Sequence, residues 1–226
     1  MTNNYILTDY AYSSILNMIL SSEIKPGDRI REDLIAEKIG MSRTPVREAV
    51  NQLIQNGFIV SIKRKGLYCV SVTKKELLDL IEIREALESI SFNKCIDFAT
   101  NEDIENFEKI INDFNCKCNN ILRESNKNTA KEISLLHNEY DIKFHVSIAE
   151  VSKSSRLIKY INEIENILLI ARQRIYSNTE GNSIVLLSWK QHELMLESIK
   201  ARDKAASINM LEQHLKLMRD TQVDIE

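Results

Sequence analysis

Only five Gly and two Pro punctuate the 226 residues, and no other feature constrains the fold more. Gly supplies the positive φ of tight turns and Pro pre-sets φ in others, so a chain poor in both has few places to reverse direction. Long helices meet that condition, and a mainly α fold is predicted. A hydrophobic fraction of 43% is enough for one or two buried cores, and 28% charged residues suit a water-facing surface. No stretch approaches the ~20 apolar residues of a membrane span. Met1 to Tyr10 is polar, with no basic segment leading into an apolar one, so no signal peptide is expected and the expected location is the cytoplasm. There the four cysteines, Cys69, Cys95, Cys116 and Cys118, are expected as reduced thiols with structural or incidental roles.

Thr8 to Ile24 places Ala11, Ile15, Met18, Ile19 and Ser22 at helical spacing, with Thr8 as the expected N-cap. Lys25-Pro26-Gly27-Asp28 breaks that helix. A short helix from Glu32 to Ile39 follows, with Leu34, Ile35 and Ile39 inward and Gly40 ending it in a left-handed conformation. Ser42 is the expected cap of a third helix, and Pro45 falls in its first turn, where a missing N–H costs little. Val46, Ala49, Val50 and Leu53 form its buried stripe. After Asn56-Gly57, two runs rich in β-branched and aromatic residues, Phe58 to Ile62 and Leu67 to Val72, flank Lys63-Arg64-Lys65-Gly66. Gly66 offers the positive φ of a tight hairpin. Helix, helix, tight turn, helix, then a basic-tipped hairpin is the order of a winged helix-turn-helix, expected over residues 1–72. From Thr73 helical periodicity runs to the end, with breaks near Thr100, Ser125 to Asn128, Ser152 to Ser155, Asn178 to Asn182 and Arg202-Asp203. These divide residues 73–226 into six helices, predicted to pack as an antiparallel all-α bundle.

A formal net charge of −3 argues against nucleic acid until the chain is divided. Residues 1–72 carry nine Lys/Arg against seven Asp/Glu, whereas residues 73–226 carry twenty-one against twenty-six. Between residues 41 and 72 there are five basic side chains and one acidic, Glu48. That local basic face is what phosphate contact requires. Arg43, Thr44 and Arg47 sit at the N-terminal end of the third helix, away from Val46 and Val50. Such a helix can enter the major groove, where Arg reads guanine bidentately, and its N-terminal amides can meet a phosphate. Lys63, Arg64 and Lys65 at the hairpin tip can reach a minor groove or the backbone.

In the second domain, Asp141 and His145 are spaced i, i+4 and so share one helix face, able to present a carboxylate and an imidazole to one cation. His192 and His214 fall on two later helices, and inward-facing residues of a bundle converge on its centre. Taken alone, such histidines are more often hydrogen-bonded core residues than ligands.

Ser42-Arg-Thr-Pro-Val-Arg-Glu-Ala-Val50, Asn56-Gly-Phe-Ile-Val60 and Lys65-Gly66 closely resemble the GntR family of bacterial regulators. The resemblance implies that Arg43, Thr44 and Arg47 read an operator, that Gly66 shapes the wing, that Arg31 is a weaker contact, and that homodimers bind short inverted repeats of double-stranded DNA. Glu82-Ile-Arg-Glu-Ala-Leu-Glu88, Asp141-Ile-Lys-Phe-His145, Gln191-His192 and Gln213-His214 resemble the FadR subfamily, whose ligand-binding domain is called FCD. That likeness implies one divalent transition metal per chain (Zn, Mn, Ni or Fe) held by Asp141, His145, His192 and His214. It also implies a small organic acid effector anchored on the ion and paired with Arg84, with Arg172 and Arg174 as further cavity candidates. His137, the fourth histidine, is expected at the surface, and a surface ion pair with Glu88 is the plainer reading of Arg84.

The expected function is therefore a ligand-responsive transcriptional regulator, a repressor in the first instance and not an enzyme. A pure metal-ion sensor is a second reading, a structural ion with an effector elsewhere a third. A metal-dependent hydrolase fused to a DNA-binding head is disfavoured, because no general base stands beside the ligands; Glu193 follows His192 but faces another side of the helix.

Overall fold

The structure, a computed structural model, describes residues 2–124, 126, 128–175 and 179–221; side chains are described for these except 2–5, 173–175 and 179–182. The chain forms two compact units, Met1–Thr73 and Lys74–Glu226.

In the first unit, α1 (Thr2–Leu20), α2 (Glu32–Lys38) and α3 (Arg43–Gln55) pack around Ala11, Ile15, Ile19, Ile35, Val46, Ala49, Val50 and Leu53, all buried. The first helix starts earlier than its pattern suggested. Thr8 is not its cap but lies inside it, buried, with its hydroxyl donating to Glu48 Oε2 at 2.8 Å. Asn56 Nδ2 donates to Tyr12 Oη at 2.8 Å, a second tie between α1 and the end of α3. Ser22 lies past the helix, exposed, and Leu34 points outward in place of Ala36. Ser42 occupies the N-cap position of α3, yet its side chain makes no capping bond. Gly40 takes the expected left-handed conformation, φ +66°.

The wing contains one more strand than expected. Two residues, β1 (Arg29–Ile30), pair antiparallel with β3 (Gly66–Cys69), which pairs in turn with β2 (Ile59–Ile62) in the order β1-β3-β2. A two-residue strand is too short for any periodicity to announce it.

The second unit contains α4 (Lys74–Phe98), α5 (Asn101–Glu124), α6 (Thr129–Val151), α7 (Ser155–Ile175), α8 (Thr179–Lys200) and α9 (Lys204–Thr221). Helix α8 begins at Thr179, so part of the break expected over 178–182 is helical, and residue 178 lies outside the described residues. Helix α6 runs through the middle of the bundle, against α4, α5, α7 and α8. It buries Ile133, Tyr140, Phe144 and Ile148, as a core helix must, but it also buries Ser134, Asn138, Asp141 and His145. The 4-3-4 spacing puts those four on one face. Groups of that kind stay out of water only when something inside compensates them.

Candidate functional site

The polar face of α6 meets matching polar faces on four other helices. Arg84 and Glu88 come from α4, Glu165 and Arg172 from α7, Ser188 and His192 from α8, and His214 from α9, all buried. Each pair recurs at four or seven residues, so each of these helices presents its polar residues along one line.

At the centre, one ligand atom from each of Asp141, His145, His192 and His214 lies within 4.8 Å of every other. Asp141 Oδ1 is 3.2 Å from His192 Nε2, 3.5 Å from His214 Nε2 and 3.9 Å from His145 Nε2. His145 Nε2 and His192 Nε2 are 3.1 Å apart. The far nitrogens of two rings face oxygens. His145 Nδ1 stands 2.9 Å from Glu88 Oε2, and His214 Nδ1 stands 3.2 Å from Gln191 Oε1. His214 Nδ1 is hydrogen-bonded to that oxygen, whereas the His145 contact is one of proximity alone; a proton on Nδ1 of either ring would leave its Nε2 lone pair facing the centre.

Protonation favours the same arrangement. Burial, with the Arg84 guanidinium next, holds His145 well below its usual value. Burial, with neighbouring His192, pushes His214 down to about 3. Both rings are neutral near pH 7. Burial opposes the charge of Asp141, but its neighbours, the Arg172 guanidinium foremost, outweigh this and hold its carboxyl well below the ordinary range. Phe144 and Trp189 press on the His192 ring at 4.9 and 4.8 Å between centroids, and Trp189 stacks on Phe114 at 3.8 Å, walling the cluster from water.

The residues fit a divalent transition metal. Asp141 Oδ1 is buried and receives no hydrogen bond, although three imidazole nitrogens crowd it. One carboxylate oxygen and three imidazole nitrogens make a donor set suited to such an ion, and the His214 ring is already oriented from behind by Gln191.

The guanidinium groups beside this centre are deeply buried, not at a surface. Arg84 Nε lies 2.8 Å from Glu88 Oε1 and 2.7 Å from Glu165 Oε1, so its pairing with Glu88 is an interior one. Burial disfavours the Arg84 charge, yet Glu165, Glu88 and Asp141 together raise its pKa. Arg172 bridges Asp141 Oδ2 and Glu165 Oε2. Arg84 Nη2 is buried without a hydrogen-bond acceptor, 3.7 Å from Asp141 Oδ2. The Arg174 side chain lies outside the described residues. A cavity of about 10 Å³, lined by His137, Asp141, Arg172, Ser188, His214, Leu217 and Met218, adjoins the centre.

His137 is not a surface residue. It is 1% exposed, its Nε2 sits 3.0 Å from Ser188 Oγ, and burial lowers its pKa to about 3. It falls four residues before Asp141, on the same helix face, and that spacing was the available signal. Glu165 gave none, because a lone Glu in an amphipathic helix reads as solvent-facing. Glu193 points off the centre, to Asn115 Nδ2 at 3.0 Å and Lys190 Nζ at 2.6 Å.

In the first unit, Arg43, Thr44 and Arg47 are exposed on α3, while Pro45, Val46, Ala49 and Val50 face inward. Lys63, Arg64 and Lys65 are exposed at the hairpin turn, with φ +64° at Arg64 and +118° at Gly66. Arg31 stands at the N-cap position of α2 and pairs with Asp33 at 2.9 Å.

A winged helix-turn-helix followed by a helical domain with a polar centre defines a class, the DNA-binding regulator with an effector-binding domain. The comparisons agree. Residues 7–69 match the family described as bacterial regulatory proteins, gntR family, and residues 79–217 match the FCD domain. The Nta operon transcriptional regulator of Aminobacter aminovorans is 30% identical over 155 residues, 69% of this chain and 68% of that one. The gluconate operon transcriptional repressor of Bacillus subtilis is 26% identical, covering 92% and 81%. Among solved structures, Escherichia coli McbR/YncC shares the fold with a TM-score of 0.70 at 20% identity, covering 93% of each chain. The chain belongs to the GntR family, in its FCD-bearing FadR subfamily, and is a DNA-binding transcriptional regulator. The matched families are regulators, so the hydrolase reading falls. Among the described residues no helix is long and apolar enough to cross a membrane.

Proposed function

We propose that Asp141, His145, His192 and His214 hold one divalent transition-metal ion, and that this ion anchors a small carboxylate effector which controls the affinity of a homodimer for an inverted-repeat operator. Zn, Mn, Ni and Fe all accept one carboxylate and three imidazoles. The observation that carries the proposal is the convergence of four ligand atoms around an unsatisfied carboxylate oxygen in a dry core. Charge accounting supports an anionic effector. Two guanidiniums and three carboxylates (Arg84, Arg172, Glu88, Asp141, Glu165) leave the metal-free cluster one charge negative, and a divalent ion makes it one charge positive. Arg84 Nη2 supplies a donor for the effector's acid group.

A cavity of about 10 Å³ holds roughly one water. A carboxylate of several heavy atoms must therefore move α9, through Leu217 and Met218, or α4, through Arg84. Helix α4 begins one residue after the DNA-binding unit ends, so this displacement is the proposed route to the operator. Operator contact is assigned to Arg43, Thr44 and Arg47 on α3 and to Lys63, Arg64 and Lys65 on the wing, with Gly66 shaping the turn and Arg31 a minor contributor. Relatives named as repressors support repression, and DNA as the partner supports the cytoplasm.

A thermal-shift panel of small carboxylates, sugar acids and amino acids, run on metal-loaded and chelator-stripped protein, tests the proposal. A ligand at ~100 times its Kd stabilises by roughly 2.7 kcal/mol. A hit that requires metal supports the anchored-acid reading. A shift from metal alone, with no organic hit, favours the ion as the effector or as a structural element.

A further inference from the structure

We infer that Arg29, on β1, contacts a DNA backbone phosphate beside the wing, in addition to the weaker contact that the family resemblance implies for its neighbour Arg31. The inference rests on the reading that α3 and the wing face DNA.

Pairing with β3 sets the position of Arg29. Arg29 lies opposite Tyr68 and Ile30 opposite Leu67, and the ladder is extended by Gly27 N donating to Cys69 O at 3.0 Å and Cys69 N donating to Asp28 O at 2.9 Å. Ile30 is buried and Arg29 exposed, as alternation along a strand requires. Its guanidinium then lies across the base of the wing turn. A methyl group added to Gly66 would stand 3.2 Å from Arg29 Nε and 3.4 Å from Nη2. Gly66 therefore serves twice, giving the turn its positive φ of +118° and leaving a flat bed for a planar cation.

The charges near it are arranged to leave this cation available. Asp28, its acidic neighbour, has Oδ2 engaged by the Lys25 amide at 2.8 Å. Among the described residues no carboxylate pairs with Arg29, whereas Arg31 shares its guanidinium with Asp33 at 2.9 Å. Arg29 joins Lys63, Arg64 and Lys65 as a fourth cation on the wing. It lies at the strand end of the turn, a position suited to the sugar-phosphate backbone.

The test is the salt dependence of DNA affinity for the full-length chain. The probes are a duplex selected from a random pool by that chain and a mixed-sequence duplex of equal length. Each phosphate contact contributes about 0.9 to the slope of log K against log [salt]. Arg29→Ala is expected to lower the slope by about 0.9 for each DNA-binding head engaged and to weaken both duplexes by the same factor. Arg31→Ala, whose guanidinium is shared with Asp33, is expected to lower the slope by less than Arg29→Ala does. An unchanged slope in Arg29→Ala, while Arg47→Ala still loses selective binding, overturns the inference alone. A loss confined to the selected duplex overturns it too, since that is base reading. If Arg47→Ala also binds the selected duplex normally, the assignment of the DNA-facing surface falls and the inference with it. Arg29 is exposed, so folding of its variant is not at stake, and Arg29→Lys is expected to restore most of the slope.

Discussion

The two units of this chain handle charge in opposite ways. In Met1–Thr73 the core is apolar, and the cations of α3 and the wing stand in water. In Lys74–Glu226 the surface is ordinary, and the consequential charges are inside: Arg84, Glu88, Asp141, Glu165 and Arg172 are each within a few per cent of complete burial. An outward cation costs little to keep and waits for a polyanion. An inward one must be balanced at once, and what balances it defines a site. Removing the first kind changes binding, whereas removing the second changes folding.

The largest effect that separates them is expected at Glu165. It meets Arg84 and Arg172 at once, so Glu165→Ala takes one counter-ion from each of two buried guanidiniums, leaving them Glu88 and Asp141, and should cost about 3–5 kcal/mol in denaturant unfolding. Lys63→Ala on the wing should stay within about 0.5 kcal/mol. Similar small costs for both would mean that water reaches the cluster, and the contrast would fail.

The next effect concerns the metal. His192→Ala combined with His214→Ala should abolish stoichiometric metal by elemental analysis, and metal at ~100 times its Kd should stabilise only the wild type, by roughly 2.7 kcal/mol. About one ion per chain in the variant places the ion elsewhere.

For the outward charges, Arg43→Ala or Arg47→Ala should weaken the selected duplex by roughly 1–3 kcal/mol without changing the melting temperature. Normal affinity in both variants contradicts the assignment of α3.

The smallest effect is a pH slope, read over the single unit below pH 6.5. His137 takes up its proton in the unfolded chain near pH 6.5 but in the folded chain only near 3, so its contribution to stability is complete above about 6.5 and is lost as pH falls. Metal-free His137→Gln should lack about 1.4 kcal/mol per pH unit of that acid sensitivity below pH 6.5. Equal slopes in the two proteins would mean a solvated ring.

The outward unit was largely legible in the sequence. The motif around Arg43 and Pro45 and the basic turn before Gly66 announce themselves locally; what escaped was β1, two residues long, the true start of α1 and the outward face of Leu34. The inward unit was legible only in part. Asp141 and His145 declare themselves by spacing, and His192 and His214 through the family resemblance. His137 and Glu165 did not, because a polar residue on an amphipathic helix reads as solvent-facing until the opposite helix supplies its partner. Their pairing spans α6 to α8 for His137 and Ser188, and α4 to α7 for Arg84 and Glu165, contacts that no local window contains.

The most direct test of the whole account couples the two units. Affinity for the selected duplex should be measured on metal-loaded full-length protein, with and without the carboxylate found in the thermal-shift panel, beside the His192→Ala, His214→Ala variant. A coupling of 1–3 kcal/mol, about 5- to 150-fold in DNA affinity, is predicted for the wild type and none for the variant. An equal response in both would contradict a metal-anchored effector as the control of DNA binding.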